Sequence, residues 1–313
     1  MGEEPKVLVV GSINMDMVVR SGRMPAPGET VLGEGFKTSP GGKGANQAVA
    51  AARLGGRVAM IARVGDDAFG EELLANLRQE GVDCGAVGTS PQTPTGVAMI
   101  IVDAQGENSI VVASGANFRV TPDDDILPNE HLFEQAAVVL MQLELPLPTV
   151  RAAMTLARRH GCKVILDPAP APRIMPEELC CVDILSPNVS EAEQITGNRS
   201  GLEERVDKQV ASELIARGAK TAVLKLGSRG AMAVTADGHF YTVPSYKVNV
   251  VDTTAAGDAF TAGLAVATAG GAKLHEAVKL ANAAGALACT RIGAQAAMPT
   301  GDEVRLLMTD QPT

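Results

Sequence analysis

The 313-residue chain is predicted to form one α/β domain: a mainly parallel central sheet flanked by helices on both faces, with a small β-sheet lid. Three observations predict this. From about residue 120 onward, apolar runs of strand length alternate with helical segments. The first run, residues 6–11 (KVLVVG), is continuously apolar, as a strand covered on both faces requires. Two early stretches, about residues 12–40 and 94–115, break the alternation and are assigned to the lid as inserts in a single domain spanning 1–313.

The elements follow in order. Residues 17–20 extend the first strand into a more polar region, and residues 28–38, rich in Gly, Glu and Thr, suit short exposed strands. Residues 45–54 (ANQAVAAARL) form a helix that ends at Gly55 and Gly56. Residues 57–64 are a strand, and residues 68–79 a helix stopped by Gly81. Strands 96–102 and 108–113 face each other across a turn centred on Gln105 and Gly106, a hairpin signal. Strands then fall at 137–143, 163–167, 182–185 and 221–226, with helices at 149–160, 190–196 and 203–217. A hairpin, 231–235 with 239–243, turns at Asp237 and Gly238. Three helices, about 256–269, 273–290 and 301–308, close the chain. In such a sheet ligands bind beyond the carboxyl ends of the strands.

Composition narrows the function. With 46% hydrophobic and 20% charged residues the chain is globular. It has no Trp, two Tyr and six Phe, so its core is aliphatic and no surface stacks nucleic-acid bases. A net charge of −9 leaves no basic patch for nucleic acid. Five cysteines (84, 162, 180, 181 and 289) show no metal spacing and read as free, mostly buried thiols of a cytoplasmic protein. The acidic N-terminus is no signal peptide, and no run reaches membrane-spanning length. His131, His160, His239 and His275 show no metal or triad spacing.

The richest segment is 251–260 (VDTTAAGDAF), two carboxylates six positions apart ahead of an Ala-rich helix. The helix starts near Ala256 and Gly257, where unpaired N–H groups and the dipole favour an anion and small side chains admit it. Asp258 there reads as a base beside a phosphate, or else as an ordinary acidic residue of a first turn. Asn14 and Asp16 alternate onto one face and could each accept a sugar hydroxyl hydrogen, or simply be solvated. Gly41-Gly42-Lys43-Gly44-Ala45-Asn46-Gln47 opens a helix and permits close backbone approach, without Walker A or G-x-G-x-x-G spacing. Gln142-Leu143-Glu144 ends an apolar strand and points Glu144 into the crevice. Asn188 and Glu191 could order a hydrated Mg²⁺ or a phosphate, or cap a helix. The Lys225–Gly230 turn, with Gly227 and Ser228, could lie along nucleotide phosphates or be a plain hairpin turn.

Together, in this order, these motifs resemble the ribokinase family of carbohydrate kinases from about residue 6 to residue 300. The resemblance implies transfer of the ATP γ-phosphate to the 5-hydroxyl of D-ribose. It implies Asp258 as general base and the N–H groups of Ala255, Ala256 and Gly257 as the anion hole. Ribose contacts fall at Asn14, Asp16, Gly42, Lys43, Asn46, Glu144 and Asp258. ATP contacts fall at Asn188, Lys225, Gly227, Ser228, Gly230, Gly257 and Asn282, with Glu191 tied indirectly to Mg²⁺. A monovalent-cation site, typically for potassium, uses Asp252 and Thr254 with carbonyls at Ala288, Arg291 and Gly293. The lid implies a homodimer. Two positions depart from the family pattern: Ala255, where Gly is common, and Ala297, where a Ser ligand is common.

Two other readings compete. One is a kinase of the same family for fructose, deoxyribose or adenosine; against a nucleoside, the only nearby aromatic is Phe36. The other is a non-catalytic sugar or nucleotide sensor, against which Asp258 and its small-residue surroundings speak. A nicotinamide dehydrogenase is excluded, since the first strand lacks the glycine fingerprint.

Overall fold

Alternation along the first strand divides the interior into two layers. The computed structural model describes residues 6–199 and 203–311. In it, Val7 and Val9 of β1 (Lys6–Val10) join one apolar cluster, and Leu8 and Val10 the other. The chain continues through β2 (Asn14–Ser21), β3 (Gly33–Gly41), α1 (Lys43–Arg53), β4 (Arg57–Gly65) and α2 (Ala68–Gln79). Next come β5 (Asp83–Ser90), β6 (Gly96–Val102), β7 (Asn108–Ala113) and, after short turns, α3 (Glu130–Gln135). Regular alternation follows as β8 (Val138–Met141), α4 (Leu147–Arg159), β9 (Lys163–Leu166), α5 (Glu177–Cys180), β10 (Ile184–Leu185) and α6 (Val189–Thr196). The remainder is α7 (Glu204–Ala216), β11 (Thr221–Lys225), β12 (Ala231–Thr235), β13 (Phe240–Val243), α8 (Ala256–Ala269), α9 (Leu274–Ala288) and α10 (Gly301–Asp310).

The main sheet has nine strands in the order β13-β12-β11-β10-β9-β8-β1-β4-β5. All neighbours are parallel except at the β11-β12-β13 edge. Helices α1, α2, α8, α9 and α10 cover one face; α3, α4, α6 and α7 cover the other. The aliphatic composition explains how the first group packs. A side chain added at Gly263 of α8 would lie 3.0 Å from Cα of Ala281 in α9, so small residues bring these helices nearly backbone to backbone.

A second sheet of four strands, β3-β2-β6-β7, stands beside the first. Residues 17–20, expected to prolong the first strand, belong instead to β2 in this sheet. The turn at Gly11–Ile13 redirects the chain there, and β2 pairs with β6 and β3. The exposed strands expected over 28–38 are one strand shifted onward to Gly33–Gly41. Strand β5 was not expected, because its Gly-containing, half-exposed sequence DCGAVGTS has no apolar run. Phe36, Met99, Ile110 and Val111 leave more than half of their surface exposed on the second sheet. Of the cysteines, Cys181 is exposed while Cys84, Cys162 and Cys180 are buried; all are unbridged. The acidic residues 1–5 lie outside the described residues, and no described helix is long and apolar enough to cross a membrane.

What this architecture does for function is clearest at the start of α1, which abuts the end of β1. A Cβ added at Gly44 would meet the backbone N of Ser12 at 2.5 Å and Cα of Gly11 at 2.6 Å. Neither neighbour is a flexible side chain, so Gly44→Ala is expected to destabilise the protein by about 1–3 kcal/mol in chemical denaturation. Unchanged stability would contradict this packing.

Candidate active site

The first turn of α1 meets the first turn of α8 over the ends of β1, β8 and β9. Gly42 enters α1 at φ 88°, a conformation open to glycine, and the N–H of Ala45 donates to the carbonyl of Ser12 at 2.9 Å. This brings Asn46 and Gln47 inward. Their amides donate to the Asp258 carboxylate, Asn46 to Oδ2 and Gln47 to Oδ1, each at 3.0 Å. Asp258 lies in the first turn of α8 and is 5% exposed.

Ala255, the residue before α8, adopts the left-handed conformation at φ 57°, the one non-glycine to do so among the described residues. A side chain there is strained, so glycine would be accommodated more easily at this position. The bend turns the helix start toward the Lys225 side chain: a Cβ at Gly257 would lie 3.7 Å from its ammonium nitrogen. Of the three N–H groups expected to bind an anion, that of Ala256 donates to the Thr253 carbonyl at 3.2 Å. This donor is engaged within the turn and would have to let go to serve a phosphate.

Asp167, which sequence reasoning missed, completes this centre together with Gln47 and Gln142, which were quoted in motifs but given no role. Asp167, just past β9 and 1% exposed, accepts from Lys225 at 2.7 Å and from Gln47 at 2.9 Å. Gln47 accepts in turn from Gln142 at 2.5 Å. The available signal was position: Asp167 is the one polar residue ending an apolar strand whose neighbouring strand ends were already assigned to the site. Burial raises the Asp258 pKa, and Asp167 adds to the rise, while Lys43, Asn46 and Gln47 pull it down. Lys43 keeps its proton firmly: burial works against the charge, but Asp258, Asp167, Glu144 and Glu191 outweigh it.

Asn14, Asp16 and Glu144 line the side of the pocket nearest the second sheet. Glu144 accepts from the Ser12 hydroxyl and from the Lys43 N–H at 3.2 Å, and burial raises its pKa. Asp16 is pushed up to about 7 by burial, then by Glu144 and Asp258. The Asn14 Oδ1 accepts from Nδ2 of Asn117 at 2.7 Å, which fixes the orientation of its amide and leaves its NH₂ group free of that contact. Asn117 is fixed by two further bonds to the backbone of Ile13. Nothing in the GANFR stretch around Asn117 marked it as part of the site.

Asn188 and Glu191 form a complete capping box on α6, with both Glu191 oxygens accepting from Asn188 at 2.7 and 2.9 Å. Burial raises the Glu191 pKa, Lys225 lowers it and Asp167 raises it, so the cap also borders the charged centre. Gly227, Ser228 and Gly230 shape the turn between β11 and β12, with Ser228 exposed. Asn282 is 6% exposed and donates to the Pro244 carbonyl at 2.7 Å, bracing the backbone after β13. Asp252 accepts from Thr254 and from the Gly293 N–H at 2.9 Å, while the Val251 N–H bonds the Cys289 carbonyl. These bonds bring residues 252–254 against the end of α9 at Ala288 and the loop after it, which holds Arg291 and Gly293. Burial would raise the Asp252 pKa, but its hydrogen bonds lower it overall. Arg291 pairs outward with Glu303.

The sequence matches the pfkB family of carbohydrate kinases over residues 4–301. It is 40% identical over 295 residues to the ribokinase of Haemophilus influenzae, covering 94% of this chain and 95% of that protein. A deoxyribokinase of Salmonella typhi is 36% identical over 295 residues, with the same coverage. Among solved structures, Arabidopsis thaliana ribokinase complexed with ribose and ATP matches with a TM-score of 0.91 at 33% identity, covering 97% of this chain and 99% of that one. Family match, relatives and architecture agree: the chain belongs to the pfkB family of carbohydrate kinases.

Proposed function

We propose that this chain transfers the γ-phosphoryl group of ATP to the 5-hydroxyl of D-ribose. The observation that carries the reading is the buried Asp258 carboxylate at the start of α8, oriented by two amides and flanked by Lys43. Asp258 accepts the proton of the 5-hydroxyl as that oxygen attacks the γ-phosphorus. The bond from the γ-phosphorus to the β,γ-bridging oxygen breaks, and ADP leaves with the electron pair. Such a reaction needs positioning and charge stabilisation more than covalent chemistry. The start of α8 lies beside Lys225, and its N–H groups would receive the transferred group once that of Ala256 releases the Thr253 carbonyl. On the sugar side, the Asn14 donor and the acceptors Asp16 and Glu144 complement a polyol.

A magnesium ion would supply charge neutralisation on the phosphates. No three His, Cys, Asp or Glu side chains cluster to cage a metal among the described residues. That fits Mg²⁺, which keeps most of its waters and needs only one or two carboxylates besides phosphate oxygens. Glu191, whose oxygens already accept from Asn188, would act through water. A monovalent cation, by the same proposal potassium, would be held by Asp252 and Thr254 with carbonyls of Ala288, Arg291 and Gly293. All are oxygen donors of the kind a hard cation prefers. Ala297 adds no hydroxyl to that set. The second sheet would close over the sugar as a lid, within a single domain, and its exposed apolar residues would pair with a second copy.

The test is ATP consumption over a panel of ribose, deoxyribose, fructose and adenosine, with Mg²⁺ and with or without potassium. Ribose is expected to give the highest kcat/KM; equal turnover without any sugar would refute the reading. Asp258→Asn is expected to lower kcat by about 10²–10⁴ while ATP still binds in calorimetry.

Asp16 gives a pH-dependent prediction. Its pKa is about 7 in the folded chain against 3.8 unfolded. Between those values the folded state holds the extra proton, so stability falls as pH rises through this window. In chemical denaturation, the stability of Asp16→Asn relative to the parent should rise between about pH 4 and pH 7 and level off above, while the variant loses affinity for ribose. A pH-independent difference would contradict it.

A further inference from the structure

We propose that Gln47 is a positioning residue for the phosphoryl-transfer step, clamping Asp258 in the orientation that receives the hydroxyl proton. The inference rests on the reading of Asp258 as the base. The Gln47 side chain is fully buried, and all of its hydrogen-bonding capacity points at the centre. Its two N–H bonds are divided between two carboxylates, Oδ1 of Asp258 at 3.0 Å and Oδ2 of Asp167 at 2.9 Å. Its carbonyl oxygen accepts from Nε2 of Gln142 at 2.5 Å. A flipped amide would turn an oxygen toward both carboxylates, so the three partners leave one orientation.

The chemistry needs such a clamp. Two carboxylates beside one another repel, and an ionised pair would swing apart or take up a proton. Lys225 balances Asp167 from one side, at 2.7 Å. Gln47 fills the space between Asp167 and Asp258 with a neutral donor that satisfies both. Asn46 on the other Asp258 oxygen completes the hold. Each oxygen accepts about two hydrogen bonds, so one site on each stays available for the substrate hydroxyl. A methionine at position 47 would keep the volume and remove every donor.

The charged groups that face Asp258 are Lys43 on α1, Asp167 after β9, Asp16 on β2 and Glu144 after β8. Gln47→Met replaces none of these groups, although Asp167 also loses its Gln47 donor. Losing a donor to the ionised form of Asp258 disfavours that form, so the acid limb of kcat against pH should move to higher pH. Misplacement of the base by a fraction of an ångström should lower kcat by about 10–100-fold. KM for ribose and for ATP should stay within about three-fold, since Gln47 contacts neither in this assignment.

Steady-state kinetics of Gln47→Met and of Gln142→Met, each from about pH 5 to pH 9, test the proposal. Gln142→Met keeps both Gln47 donors but frees the amide to rotate. It should show the same pattern to a smaller degree, and it carries the test if Gln47→Met does not fold. The double variant should lose no more than Gln47→Met alone. An unmoved acid limb with kcat within two-fold of the parent would overturn the proposal. So would a fall in kcat/KM that comes only from higher KM. Failure of the parent to consume ATP in response to ribose would instead refute the reading of the enzyme, before either variant is compared.

Discussion

Two side-chain amides on a single helical turn, Asn46 and Gln47, reach across to one carboxylate on another helix. That contact ties α1 to α8, and the rest of the structure serves it. Gly44 lets α1 press on the end of β1, and the Gly42 bend sets the helix start. The left-handed bend at Ala255 places Asp258 one residue beyond the first N–H groups of α8. Small residues between α8 and α9 let the second helix lie close enough to bury the first. The Ala-rich composition, which gives the C-terminal third an unremarkable look, is what makes the geometry possible.

The contact also organises a dense field of charge. Asp16, Glu144, Asp258, Asp167 and Glu191 gather near two ammonium groups, Lys43 and Lys225. Carboxylates thus outnumber cations in a place proposed to receive a polyphosphate. The molecule separates them by function. Asp167 is bound by Lys225, Glu191 is held in its capping box, and Glu144 is bonded to Ser12 and the Lys43 N–H. Burial raises the pKa of Asp16, to about 7, and of Asp258, as it does for Glu144 and Glu191, so the site itself bears on the protonation of these acids.

Most of the architecture was legible in the sequence, because continuous apolar runs and helical periodicity mark a parallel sheet directly. The misses have local causes. Strand β5 pairs through its backbone with little apolar sequence to announce it, and β2 leaves the first sheet at a turn that alternation alone does not reveal. The structure brings together four residues of the conspicuous motifs, Asp258, Lys43, Asn46 and Glu144. Asp167 and Asn117 stand in no motif and were missed, and Gln47 was quoted in its motif without a role, because only the folded chain shows which groups they bond. Asn14 shows the limit most clearly. Its place beside Asp16 on β2 was readable, but the group that fixes its amide, Asn117, lies 103 residues further along the chain.

The most direct test is a crystal structure of this chain with D-ribose and a non-hydrolysable ATP analogue. The account predicts the ribose 5-hydroxyl within about 2.6–3.2 Å of an Asp258 carboxylate oxygen, with the γ-phosphate at the start of α8. A different hydroxyl facing Asp258, or the triphosphate bound away from that helix, would contradict it.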